Sequence, residues 1–191
     1  MLTYLDNAPP PYPKPLTVID ANRDAMLHYT SPNRGTHTLA ISSSEALFET
    51  REMVANFLNI KDSSHLIFTP GCTYSLNYVI NGLNWQENDV AVISSLEHNS
   101  VYRPLLNLEK TKNINLVKVP YSKHQGFELY DLEKVLIKGN VKLVAVTHAS
   151  NVTGEILPLR KIIELTHKYN TKLLVDGSQT VGNFSIDMEE L

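Results

Sequence analysis

A single cysteine, Cys72, among 191 residues excludes an internal disulfide and any cysteine-cluster metal site. Long apolar runs are also missing, since none reaches the roughly 18 residues that a membrane-spanning helix needs. The opening Met1-Leu2-Thr3-Tyr4-Leu5-Asp6 has no signal-peptide character. There is no basic run, and the net charge is −3 with pI about 6.1. Neither nucleic acid nor an anionic membrane is therefore an expected partner. Repeats, low-complexity segments and dividing linkers are absent, and no lysine follows Lys172. What remains is 42% hydrophobic and 19% charged, which fits a cytoplasmic globular protein with one sizeable core and no metal.

The first fifteen residues read as an extended arm, because Pro9, Pro10, Pro11, Pro13 and Pro15 remove donors and restrict their predecessors. A helix is predicted from about Leu16 to Tyr29, then a polar loop. Ser42 to Glu45 has capping-box spacing and opens a helix to about Asn59. Beyond it, strands alternate with helices. Leu66–Thr69, Asp89–Ser94, Asn115–Val119, Lys142–Thr147 and the run ending at Asp176 read as strands. Leu76, Val79, Ile80 and Leu83 mark the face of one helix. Others are expected after Pro104, around Asp131–Ile137 and from Pro158. This alternation predicts an α/β fold with a mainly parallel sheet covered by helices.

Polar clusters follow four of these strands, at the edge where parallel α/β sheets bind ligands. Gly71-Cys72-Thr73 leads into a helix and suits a phosphate, or is an ordinary turn with a threonine cap. His98 could stack on an aromatic ring or move a proton, and a histidine there also caps helices. Asn151 sits in Ser150-Asn151-Val152-Thr153-Gly154, a loop of donors and acceptors that Asx and Ser/Thr turns would equally explain. Asp176, with Gln179 three residues later, suits the protonated ring nitrogen of pyridoxal phosphate, or is a solvated strand end. Cys72 is either a nucleophile at a helix start or a small packed side chain.

Taken in order, these segments resemble the class V aminotransferase family, in its cysteine desulfurase and selenocysteine lyase branch. The resemblance rests on Tyr4-Leu5-Asp6-Asn7-Ala8, Pro13-Lys14-Pro15, Phe68-Thr69 with Gly71 and Thr73, and Leu96-Glu97-His98-Asn99-Ser100 with Arg103-Pro104-Leu105. It continues through Thr147 to Gly154 and Val175-Asp176-Gly177-Ser178-Gln179-Thr180. It implies the large domain of a fold type I pyridoxal phosphate-dependent transferase, with residues 16–191 an incomplete, truncated domain and the small C-terminal domain absent. Thr73 and the backbone of Cys72 would then hold the phosphate, His98 would stack on the ring as the catalytic histidine, and Asp176 would meet the ring nitrogen. Gln179 would bond the phenolic oxygen, Asn151 would lie beside cofactor and substrate, and Asn7 near the substrate amino acid.

The implied reaction is sulfur metabolism on cysteine, leaving alanine and a persulfide. The family's Ser-x-His-Lys segment, substrate-carboxylate arginine and sulfur-accepting cysteine have no match here, and Ala8-Pro9-Pro10-Pro11 replaces the usual alanine–threonine run. The chain by itself is expected to be inactive. The alternatives are a non-catalytic split-gene product that binds pyridoxal phosphate weakly or complements a C-terminal half, and another class V aminotransferase or lyase. Family members are usually homodimers.

Overall fold

The computed structural model describes residues 3–8 and 11–191. Pro9 and Pro10 of the expected arm, with Met1 and Leu2, lie outside the described residues. Two compact units are present, one of residues 1–67 and 186–190, the other of residues 68–185 and 191.

In the first unit the described arm residues form neither helix nor strand, and α1 spans Leu16–His28. Helix α2 runs over Thr38–Phe57 and so begins ahead of the expected capping box. His37 caps it instead, its Nδ1 accepting the Ala40 N–H at 3.3 Å. Ser43 and Ser44 lie inside the helix and donate back to the carbonyls of Leu39 and Ala40 at 2.7 and 2.9 Å. The same hydroxyls accept the N–H groups of Thr30 and Asn33. These serines therefore fasten the preceding loop to α2 rather than start the helix.

The expected strand at Leu66–Thr69 does not form. No strand pairs with it among the described residues, and Ile67 is 79% exposed. A β-rich apolar run without a ladder partner stays an extended connector.

The second unit holds the sheet. Its strands β1 (Val90–Ser94), β2 (Asn115–Val119), β5 (Val141–Thr147) and β6 (Lys172–Asp176) are all parallel, in the order β2-β1-β5-β6. A short antiparallel pair, β3 (Tyr121–Ser122) and β4 (Gly126–Phe127), was invisible to periodicity because each strand has two residues. The helices are α3 (Cys72–Gly82), α4 (Asn99–Lys112), α5 (Leu129–Ile137) and α6 (Leu159–Lys168).

Alternation along the strands divides the core in two. Ala91, Ile93, Leu143 and Ala145 pack with Leu76 and Ile80 of α3 and Leu105 of α4. Val92, Val144 and Val146 point the other way, against Leu132 and Leu136 of α5 and Ile162 of α6. Val79, expected on the apolar face of α3, is 44% exposed.

Helix α4 starts before Pro104, at the residue after His98. Proline has no N–H for the Ser100 carbonyl four residues back. That carbonyl accepts the Asn77 Nδ2 at 3.5 Å, linking α4 to α3.

Candidate active site

Because the four strands are parallel, their carboxyl ends share one edge, and the polar clusters after β1, β5 and β6 collect there. The Gly71-Cys72-Thr73 turn follows no strand and meets that edge through the contact of Cys72 with Asp176. Asp176 closes β6 opposite Thr147 of β5 and is 6% exposed. Its Oδ1 accepts the Ser178 N–H at 3.0 Å and the Ser178 hydroxyl at 2.5 Å. The thiol of Cys72 lies 3.6 Å from the same oxygen, and its Sγ is 3.0 Å from Ser178 Oγ. The first residue of α3 is thereby joined to the end of β6 across 104 positions of sequence.

The Cys72 thiol is not activated. Burial raises its pKa above the ordinary value, and the Asp176 charge adds to that rise against the Ser178 hydrogen bond. A nucleophilic role has no support in this environment.

Gly71, which caps α3, has φ +156° and ψ 167°, a region that is essentially glycine's alone. A Cβ there would meet no atom within 4 Å, so the backbone at the helix start has open space before it. Thr73 follows in the first turn, where N–H groups have no intrahelical acceptor. Thr73 and His98 line one groove of about 530 Å³ between α3 and α4, together with Asn77, Ser100 and Arg103.

His98 caps α4: its Nδ1 accepts the Ser100 N–H at 3.2 Å and lies 2.7 Å from the Ser100 hydroxyl. The capping role and the stacking role are compatible, because the cap occupies one ring nitrogen and holds the imidazole in place. The ring is exposed.

Glu97 is the residue whose importance the sequence conceals. Its Oε1 accepts the Thr147 N–H at 2.8 Å and bonds the Ser94 hydroxyl, tying the end of β1 to the end of β5. Its Oε2 is buried without a hydrogen-bond partner among the described residues. Burial pushes the Glu97 carboxyl up to about 7; the Ser94 and Thr147 bonds pull it down and the Asp176 charge pushes it further up. His148 is a half-buried residue whose ring Nδ1 is buried. Its N–H donates to the Asp176 carbonyl at 2.9 Å, its Nδ1 has no partner among the described residues, and burial lowers its pKa.

Other candidates are more loosely placed. Asn151 is exposed in the turn after β5, where Ser150 Oγ accepts the N–H groups of Val152 and Thr153 at 3.3 Å. Gln179 is half-buried in the turn after β6, and its carbonyl accepts the Asn183 side chain at 2.9 Å. Asn7 belongs to the first unit, its Oδ1 facing the Tyr12 N–H at 3.5 Å. Two contributors, Ser178 and Ser94, were not singled out from sequence. Their signal was the spacing Asp176-x-Ser178 and Ser94-x-x-Glu97 at strand ends.

An open helix start, an exposed imidazole and a buried carboxylate on one edge define a class of site. Its chemistry suits an anionic group at the helix start and an N–H donor at the carboxylate. The family model of the class V aminotransferases matches residues 3–191, and the chain belongs to that family. It is 36% identical over 194 residues to a cysteine desulfurase of Dickeya dadantii, covering all of this chain and 47% of the relative. A probable cysteine desulfurase of Halalkalibacterium halodurans is 34% identical with the same coverage.

Among solved structures, the apo cysteine desulfurase of Thermococcus onnurineus superposes with TM-score 0.85 at 26% identity, over 93% of this chain and 44% of that one. The cysteine desulfurase CsdA of Escherichia coli gives 0.78 at 26% identity, over 93% and 45%. A C-DES variant with glycine covalently linked to its PLP cofactor shares the fold, with TM-score 0.76 at 23% identity, over 92% and 46%. The chain spans about half the length of the curated relatives it matches. No described helix is long and apolar enough to cross a membrane.

Proposed function

We propose that this chain supplies the pyridoxal phosphate-holding half of a cysteine desulfurase, which converts cysteine to alanine and persulfide sulfur. One observation carries the reading: a buried carboxylate, Asp176, stands at a strand end in contact with the first residue of α3. The names of the cysteine desulfurase relatives support the substrate class.

The residues present fit the cofactor. Open space before Gly71 and the free first turn of α3 suit its phosphate, with Thr73 adding a hydroxyl. The Cys72 backbone contributes to the same cradle. His98, held by its cap to Ser100, would stack on the ring. Asp176 would accept from the ring nitrogen, and Ser178 holds its carboxylate in place. Gln179 and Asn151 would take the phenolic oxygen and the substrate side. When bound, pyridoxal phosphate supplies an electron sink for bonds at the substrate α-carbon. The chain's own part is to bind and orient it and to keep a proton at the ring nitrogen.

Residues 16–191 form part of the large domain in this reading, and the partner is a second copy or a complementing C-terminal half. Cytoplasmic location and a role in sulfur metabolism rest on the sequence grounds given above. All twelve lysines lie at or before Lys172, none at the position the family uses to hold the cofactor covalently. Residues 1–191 alone are therefore expected to bind pyridoxal phosphate reversibly and to release no alanine from cysteine. Alanine release by the purified chain would refute the inactivity. No change in the cofactor's absorbance on titration would refute the binding.

A further inference from the structure

Glu97 is not needed for any contact assigned above to the cofactor, yet its carboxyl is buried among the strand ends that carry those contacts. Oε1 is bonded by two donors, from β1 and β5, while Oε2 has neither solvent nor a partner among the described residues. No lysine or arginine forms an ion pair with it among the described residues. An ionised Glu97 would place charge on an oxygen with no donor, the arrangement proteins avoid most strongly.

The ionisable groups around it do not relieve this. Asp176 on β6 is one strand beyond Thr147, a spacing of roughly 4.8 Å, and is itself an acid. His148 beyond β5 is held toward its neutral form by burial. His98, in the same turn, is engaged with Ser100.

We propose that Glu97 is a positioning residue that works as the neutral carboxylic acid, pinning the His98 turn to β5 and leaving the charge of the Glu97–Asp176 pair on Asp176. The inference deepens the pyridoxal phosphate reading and rests on it for the roles of His98 and Asp176.

The pH dependence follows in sign. Glu97 has its folded value raised to about 7 from an ordinary 4.5. Its contribution to stability is fully present below pH 4.5, is lost as pH rises to 7, and is level above that. The two values differ by enough to change the folding equilibrium up to about 300-fold across that window.

The test compares wild type with Glu97→Gln, which keeps the Oε1 acceptor and cannot ionise. Urea unfolding from pH 5 to 8 is expected to show wild-type stability falling toward pH 7 relative to the glutamine variant, then running parallel. Ser94→Ala removes a donor to the ionised carboxyl and moves the end of that fall to higher pH. At pH 6, pyridoxal phosphate should bind Glu97→Gln within twofold of wild type and Glu97→Ala at least tenfold more weakly. Parallel urea profiles for wild type and Glu97→Gln, or equal affinity in Glu97→Ala, would overturn the proposal. Asp176→Asn separates the two ideas: unchanged affinity there overturns the cofactor reading, while the urea profiles still judge Glu97.

Discussion

Replacing Asp176 by asparagine removes one charge and leaves the local frame in place. The asparagine side chain keeps an oxygen where Oδ1 accepts the Ser178 N–H at 3.0 Å and hydroxyl at 2.5 Å. The backbone contact, His148 N–H to the Asp176 carbonyl at 2.9 Å, is untouched. Stability should therefore change by less than about 1 kcal/mol, because no buried donor is orphaned. What is lost is a charge-assisted hydrogen bond to the cofactor's ring nitrogen, worth roughly 1.5–3 kcal/mol. At 1.36 kcal/mol per decade, that weakens pyridoxal phosphate roughly 10- to 150-fold. Absorbance titration of wild type and variant at one pH, with urea unfolding alongside, measures both quantities. Equal affinities with equal stabilities would refute the assignment of Asp176.

Ile162→Ala, at a fully buried position of α6, should cost about 2–5 kcal/mol in urea unfolding through the cavity it leaves. Cys72, although an exposed residue, should alkylate more slowly at pH 8 than a free model thiol, and more slowly still in Ser178→Ala, which removes the hydrogen bond that lowers its pKa. Burial raises the Asp89 carboxyl, but Lys142, 2.6 Å away, and the Gln86 N–H outweigh it and hold the pKa below the ordinary value. The Asp89 stabilisation is present above that ordinary value of 3.8 and lost as pH falls through the lower folded value. Lys142→Met should flatten that acid limb in thermal unfolding.

The sheet was legible because β1, β2, β5 and β6 are apolar runs between turn residues, and a parallel buried strand needs little else. Element starts were harder. α2 begins at a histidine cap, and α4 continues through Pro104 because Asn77 serves the carbonyl that proline leaves open. The 66–69 run has strand composition without a strand beside it among the described residues, and no window of sequence shows that. For the site, His98 and Asp176 were visible as polar residues at strand ends, and Thr73 as a hydroxyl at a helix start. Contacts between Cys72 and Ser178, or Glu97 and Thr147, depend on separations of 106 and 50 residues. Only the folded chain brings them together.

The most direct test of the central claim is a crystal structure of the chain soaked with pyridoxal phosphate. The account predicts phosphate density at the start of α3 beside Gly71 and Thr73, the ring against His98, and the ring nitrogen within hydrogen-bond distance of Asp176. Cofactor bound elsewhere, or a ring turned so that its nitrogen faces away from Asp176, would contradict it.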